Sequence, residues 1–366
     1  LQPVLIDFYD EACLDLTLGT GATLNIYDQA LTVNGIMNIN GTLGTLQDNA
    51  TINAMSNVVW NSGSQWNGTA YSAYINVYGH WNFEAGANVN PAQGFVDFEG
   101  TTDCWIRCYS STSSFYILRV YKSGGAAAKF SDLCAQNAVI NGLTFINSGA
   151  ILRSLSNYNI VMKGDFNYYG TFDFTVNSNT GSCVFDGISQ TINNYSSGSG
   201  IFNNVVFSAS ASASVASGHL SIAKNVTINQ GNFNSGSVNI TLGGNWDNTV
   251  GASGYTPGTG TVTFHSAGTA QDVNGTNTFN NIIQDNTGQY LRFNLSSGTL
   301  TTIQGNLELH YLCWAYQTMN ISGTLNINDP ISKFTSNGSG AVTATSLDQG
   351  GILVSNGGGM ITVADL

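Results

Sequence analysis

A recurring stretch constrains this chain more than any single residue does. Gly243 to Phe264 reads GGNWDNTVGASGYTPGTGTVTF: a Gly-Asn-Trp step, a polar stretch, a Thr-Pro-Gly-Thr-Gly turn, then Thr261-Val262-Thr263-Phe264, where apolar and polar residues alternate. Alternation with a period of two marks a half-buried strand, and Pro and Gly mark the turn before it. The pattern returns as Gly79-His80-Trp81-Asn82, leading through Asn90-Pro91-Ala92-Gln93-Gly94 to Phe95-Val96-Asp97-Phe98-Glu99-Gly100. It returns again as Gly164-Asp165-Phe166-Asn167 before Cys183-Val184-Phe185-Asp186-Gly187, and in weaker form as Gly323-Thr324-Leu325-Asn326 before Ala341-Val342-Thr343.

The starts at 79, 164, 244 and 323 lie about 80 residues apart, more than one solenoid unit usually takes, so each repeat is expected to hold several coils. Repeats of short strands that bury their apolar face only by stacking predict an all-β fold, a single-stranded parallel β-helix or β-solenoid, expected to be right-handed. The sequence divides into an N-terminal arm or cap over 1–12 and a continuous solenoid over 13–366. The solenoid units run approximately 13–94, 95–181, 182–260 and 261–340, with a remnant at 341–366. Coils of about 20 to 25 residues would give roughly 15 to 18 turns and, at about 4.8 Å per turn, a rod on the order of 80 Å long.

Composition agrees with stacking. The 43 glycines and the abundant Asn, Ser and Thr disfavour long helices. Only 8% of residues are charged while 42% are hydrophobic. Where each side chain sits above its counterpart in the next coil, repeated like charges repel, whereas Asn, Thr and aromatic ladders reinforce one another. The net charge of −12, with nine Lys and Arg, leaves no basic patch for nucleic acid, and no stretch is apolar enough for membrane insertion as a helix.

The six cysteines, at 13, 104, 108, 134, 183 and 313, form no CxxC pair and have no zinc-like spacing with histidine. They read as buried apolar thiols, with disulfides between neighbouring coils as the open alternative. Cys104 and Cys108 share a strand face but would lie roughly 13 Å apart, too far to bridge. No metal or other cofactor is expected.

Several stretches resemble secreted bacterial surface proteins built from parallel β-helix repeats, of the kind exported by the type IX secretion route. They are Gly258-Thr259-Gly260-Thr261-Val262-Thr263-Phe264, Gln271-Asp272-Val273-Asn274-Gly275, Asn277-Thr278-Phe279-Asn280-Asn281-Ile282-Ile283, the Gly-Asn-Trp step at 244, Cys13-Leu14-Asp15-Leu16-Thr17 and Gly21-Ala22-Thr23-Leu24. The resemblance implies an extracellular or cell-surface location and no particular activity. Such proteins carry a C-terminal sorting domain that is removed on export, so the chain reads as a mature product or a fragment.

Three functions are weighed. The first is a structural protein that polymerises with copies of itself into a filament or surface layer. Neither end of the repeats shows an obvious polar cap, and Leu1, Pro3, Leu5 and Phe8 belong to an apolar segment suited to an intersubunit arm. The second is a carbohydrate-binding adhesin. Trp60, Trp66, Tyr71 and Trp81 fall in the densest aromatic region, where flat rings could stack on glycans; the competing reading puts them in the coil lumen. The third is a polysaccharide lyase or hydrolase, which needs paired acids. Asp97, Glu99 and Asp103, with Arg107 downstream, are the nearest approach to a cluster. His80, His219, His265 and His310 are isolated in sequence and read as structural. The non-enzymatic structural reading leads.

Overall fold

The computed structural model describes residues 4–6, 11–46, 49–66, 73–176, 180–195, 200–208, 210, 212–266, 268–286, 288–327, 329–337, 340–356 and 360–365. The chain is all-β, a parallel β-solenoid of about 15 turns spaced about 22 residues apart. It packs as two compact units, Leu1–Cys183 with Tyr195–Gly200, and Val184–Asn194 with Ile201–Leu366.

In the first unit the strands stack in register on separate faces. One face runs Ala30–Val33, Thr51–Ala54, Ala73–Val77, Gly94–Phe98, Ile117–Val120, Thr144–Ile146 and Phe166–Tyr168. A second runs Leu16–Leu18, Met37–Ile39, Val58–Trp60, Trp81–Phe83, Cys104–Cys108, Ala127–Phe130 and Ile151–Ser154. Within each strand, alternate residues point into the lumen and out of it. Leu31, Ile52, Ile75, Val96 and Leu118 therefore form one inward column, each directly above the last and all buried. Burying each such side chain contributes about 1.5–3 kcal/mol.

The second unit repeats the arrangement. His219–Ile222, Asn239–Leu242, Thr261–Phe264, Asn281–Gln284 and Leu307–Leu309 make one ladder. Asn204–Phe207, Val226–Ile228, Trp246–Asn248, Gln271–Asn274 and Tyr290–Phe293 make another. Aromatic rings fill its lumen. Phe207 stacks on Phe233 with centroids 3.9 Å apart, and Trp246 meets Phe279 edge-on at 5.2 Å.

The recurring glycine has a steric cause. At Gly79, Gly164, Gly244 and Gly323 a Cβ would come within 2.2 to 2.7 Å of main-chain atoms in the preceding coil. Two residues later, Trp81, Phe166, Trp246 and Leu325 each enter the lumen, fully buried. The motif thus closes a corner tightly and then aims a large side chain inward.

Asparagines hold the corners together in the second unit. The Asn225 N–H donates to Asn204 Oδ1 at 3.3 Å, the Asn245 N–H to Asn225 Oδ1 at 2.8 Å, and the Asp272 N–H to Asn245 Oδ1 at 2.9 Å. Each amide oxygen thereby satisfies a main-chain donor that the corner would otherwise leave unpaired.

In the predicted N-terminal arm, Val4–Ile6 is a strand paired parallel with Thr23–Ile26, Leu5 opposite Asn25. The side chain of Leu5, together with Leu1, Pro3 and Phe8, lies outside the described residues.

Candidate functional site

Burial decides the fate of the tryptophan cluster. Trp60 and Trp81 end or begin strands in which alternate residues face the lumen, and their exposure is 0%; Trp66 is 2% exposed. Trp60 stacks on Trp66 at 6.0 Å with planes 8° apart and meets Trp81 at 5.7 Å. An indole so enclosed presents no face to a sugar ring, so the lumen reading describes all three. Tyr71 lies outside the described residues.

A separate strip of aromatic side chains reaches solvent on the outer surface. Tyr74 and Phe95 occupy registered outward positions and stack at 4.7 Å, 16° from parallel. Tyr121 follows, 5.8 Å from Phe145, which lies 5.7 Å from Tyr169. Tyr169 then stacks on Tyr195 at 4.8 Å and 12°. These last two are the most open, 38% and 51% exposed. Outward aromatics recur here at 121, 145, 169 and 195, intervals of 24, 24 and 26 residues. That near-coil spacing was the signal available in the sequence, and local aromatic density obscured it.

An ion pair sits inside this strip. Arg119 stands one coil above Asp97 and donates through Nε at 2.7 Å to one carboxylate oxygen and through Nη2 to the other. Its guanidinium also lies over Phe95, 4.5 Å from the centroid, and 5.3 Å from the Tyr74 and Tyr121 rings. Asp97 faces outward, yet this cover leaves it only 4% exposed. Burial pushes its carboxyl above the ordinary carboxylate range, an effect that the Arg119 hydrogen bonds oppose. Below it, Asn76 donates to Asn53 Oδ1 at 2.9 Å, so the column runs from amide ladder to ion pair.

The other acids of the sequence cluster have separate partners. Glu99 Oε2 accepts the Tyr78 hydroxyl at 2.9 Å. Asp103 accepts from Lys129 Nζ and, at 2.8 Å, from the Ala127 N–H. The Lys129 bond, then the Ala127 bond, hold Asp103 below its ordinary value. Arg107, expected beside these acids, makes no ion pair with them.

Three histidines isolated in sequence acquire partners 20 to 25 residues away. His80 Nδ1 accepts the Trp105 N–H at 3.1 Å, His219 Nε2 lies 3.0 Å from Thr241 Oγ1, and His265 Nδ1 lies 2.9 Å from Asp285 Oδ2. His310 contacts Glu308 at 2.8 Å. In the second unit, an open groove of about 440 Å³ is lined by Ile201, Ser221, Thr241, Gly243, His265 and Ser266. Among the described residues no group of three or more His, Cys, Asp or Glu is placed to hold a metal ion.

No protein-family model matches the chain, and neither a curated protein nor a solved structure is found to match it. Its functional reading therefore rests on its own residues.

Proposed function

We propose that this chain is an extracellular, non-enzymatic structural protein of a bacterial surface, of the kind exported by type IX secretion, that assembles with copies of itself into a filament or layer. The observation that carries this reading is the engagement of outward polar side chains by their counterparts one coil away. Arg119 holds Asp97, Arg292 holds Asp272 with bonds of 2.7 and 3.0 Å, and asparagines chain corner to corner. Asp97, the acid on which polysaccharide cleavage would depend, has both oxygens on Arg119, which favours a structural role for it.

The arm segment adds support. Val4–Ile6 adopts parallel strand pairing on a coil, and the same pairing made on a neighbouring molecule would join subunits by strand addition. Deleting residues 1–10 and comparing sedimentation with the full chain tests this. Polymers that shrink to monomers support the arm; unchanged polymers remove it from the mechanism.

The outward strip favours a second reading, a carbohydrate-binding adhesin. Phe95, stacked on Tyr74 and covered by the Arg119 guanidinium, offers mainly its edge. Tyr195, the most exposed ring of the strip, is the one best placed to meet a pyranose. Glycan-array binding that disappears in Tyr195→Ala supports it, and binding indifferent to that change contradicts it.

A further inference from the structure

Cys108 ends the strand Cys104–Cys108, and Cys134 lies in the turn after Ala127–Phe130, one coil further on. The Cys108 N–H donates to Cys134 Sγ at 3.3 Å, and the Ala135 and Gln136 N–H groups both donate to the Cys108 carbonyl at 3.0 Å. The Cys134 thiol in turn donates to the Ile106 carbonyl at 3.5 Å, on the same strand as Cys108. These bonds hold the two residues together across adjacent coils. Cys183 and Cys313 are enclosed, and Cys183 Sγ instead contacts Met162 Sδ at 3.9 Å.

We propose that Cys108 and Cys134 form an oxidisable dithiol that closes into a disulfide, an inter-coil staple within the first unit. The contact with Cys108 holds the Cys134 thiol below its ordinary value against the opposing effect of burial. Burial and the same contact push Cys108 up. Cys134, 6% exposed against 2% for Cys108 and next to the exposed Leu133, is the sulfur an oxidant reaches first and so the attacking one, acting as its thiolate.

With a peroxide as oxidant, the Cys134 thiolate attacks one peroxide oxygen, breaking the O–O bond and giving a sulfenic acid and, after protonation, water. The Cys108 sulfur, losing its proton, then attacks the Cys134 sulfur; the S–S bond forms as the S–O bond breaks, and a second water leaves. Two thiols and one hydrogen peroxide yield one disulfide and two waters. A thiol reductant reverses the closure by exchange.

The test uses the full chain, reduced with dithiothreitol, freed of reductant and treated with dilute hydrogen peroxide. Intact mass spectrometry is expected to show loss of two hydrogens, and non-reducing peptide mapping to join the Cys108 and Cys134 peptides. The melting temperature should rise relative to the reduced protein. A variant carrying Cys13→Ser, Cys104→Ser, Cys183→Ser and Cys313→Ser should behave alike; should it fail to fold, the peptide map of the unaltered chain decides. Alkylation of both thiols after oxidation and denaturation, a sulfinic acid at Cys134, or a different pairing would overturn the proposal.

Discussion

Arg119, the registered partner of Asp97 one coil on, grips both of its carboxylate oxygens, with its guanidinium over the Phe95 ring. Removing the arginine leaves a carboxylate buried without its counter-charge, and that loss costs more than the pair gains over apolar substitutes. Arg119→Ala is expected to lower unfolding free energy by about 3 kcal/mol. Arg292→Ala should cost less, because Arg292 and Asp272 are more exposed than Arg119 and Asp97. Denaturant titration of the two variants checks the order; equal losses would contradict it.

The corner glycines give a second expectation. At Gly164 a Cβ would meet the main chain of Gly142 at 2.2 Å, and backbone cannot rotate aside as a side chain can. Gly164→Ala should therefore destabilise by about 1–3 kcal/mol through overpacking. Gly19→Ala, where a Cβ would meet nothing within 4 Å and φ is not positive, should be near neutral. Thermal melts of both variants distinguish a steric corner from a general intolerance of alanine.

His80 is expected to make the fold sensitive to acid. Its Nδ1 accepts a main-chain N–H, so the bonded ring is neutral with its proton on Nε2. Burial, then Arg107 and Lys122, hold its pKa below the ordinary value. As pH falls, the unfolded chain takes up the proton first. The stability due to neutral His80 is thus fully present above about pH 6.5 and is lost as pH drops through the folded pKa. His219, also lowered by burial, acts in the same direction. The fall in melting temperature between about pH 8 and about pH 5 should shrink in His80→Asn, whose amide oxygen can accept the same bond. An unaltered pH profile would refute this assignment.

Lumen and outer aromatics should separate in mutagenesis. Trp81→Ala removes a fully buried ring and should cost about 3–5 kcal/mol. Tyr195→Ala, at a half-exposed ring, should change stability by no more than about 0.5 kcal/mol. Chemical denaturation of the two proteins checks the contrast, and a large loss at Tyr195 would give that ring a structural part.

What could be read from the sequence follows the physics of each level. Alternation within Thr261–Phe264 and the glycine two places before Trp81 are local, so strand, turn and parallel stacking were legible. Side-chain partnerships were not, because they cross one coil and coil length varies: Asp97 meets Arg119 after 22 residues, Cys108 meets Cys134 after 26. Trp60, Trp66 and Trp81 stood out by density, yet density does not say which side of a strand a ring takes. Asn82, flanked by inward Trp81 and Phe83, carried that information.

Electron microscopy of the purified full chain at neutral pH, without denaturant, tests the central claim of a self-assembling structural protein most directly. The account predicts ordered filaments or sheets with a regular repeat. Dispersed single particles at every concentration tried would contradict it.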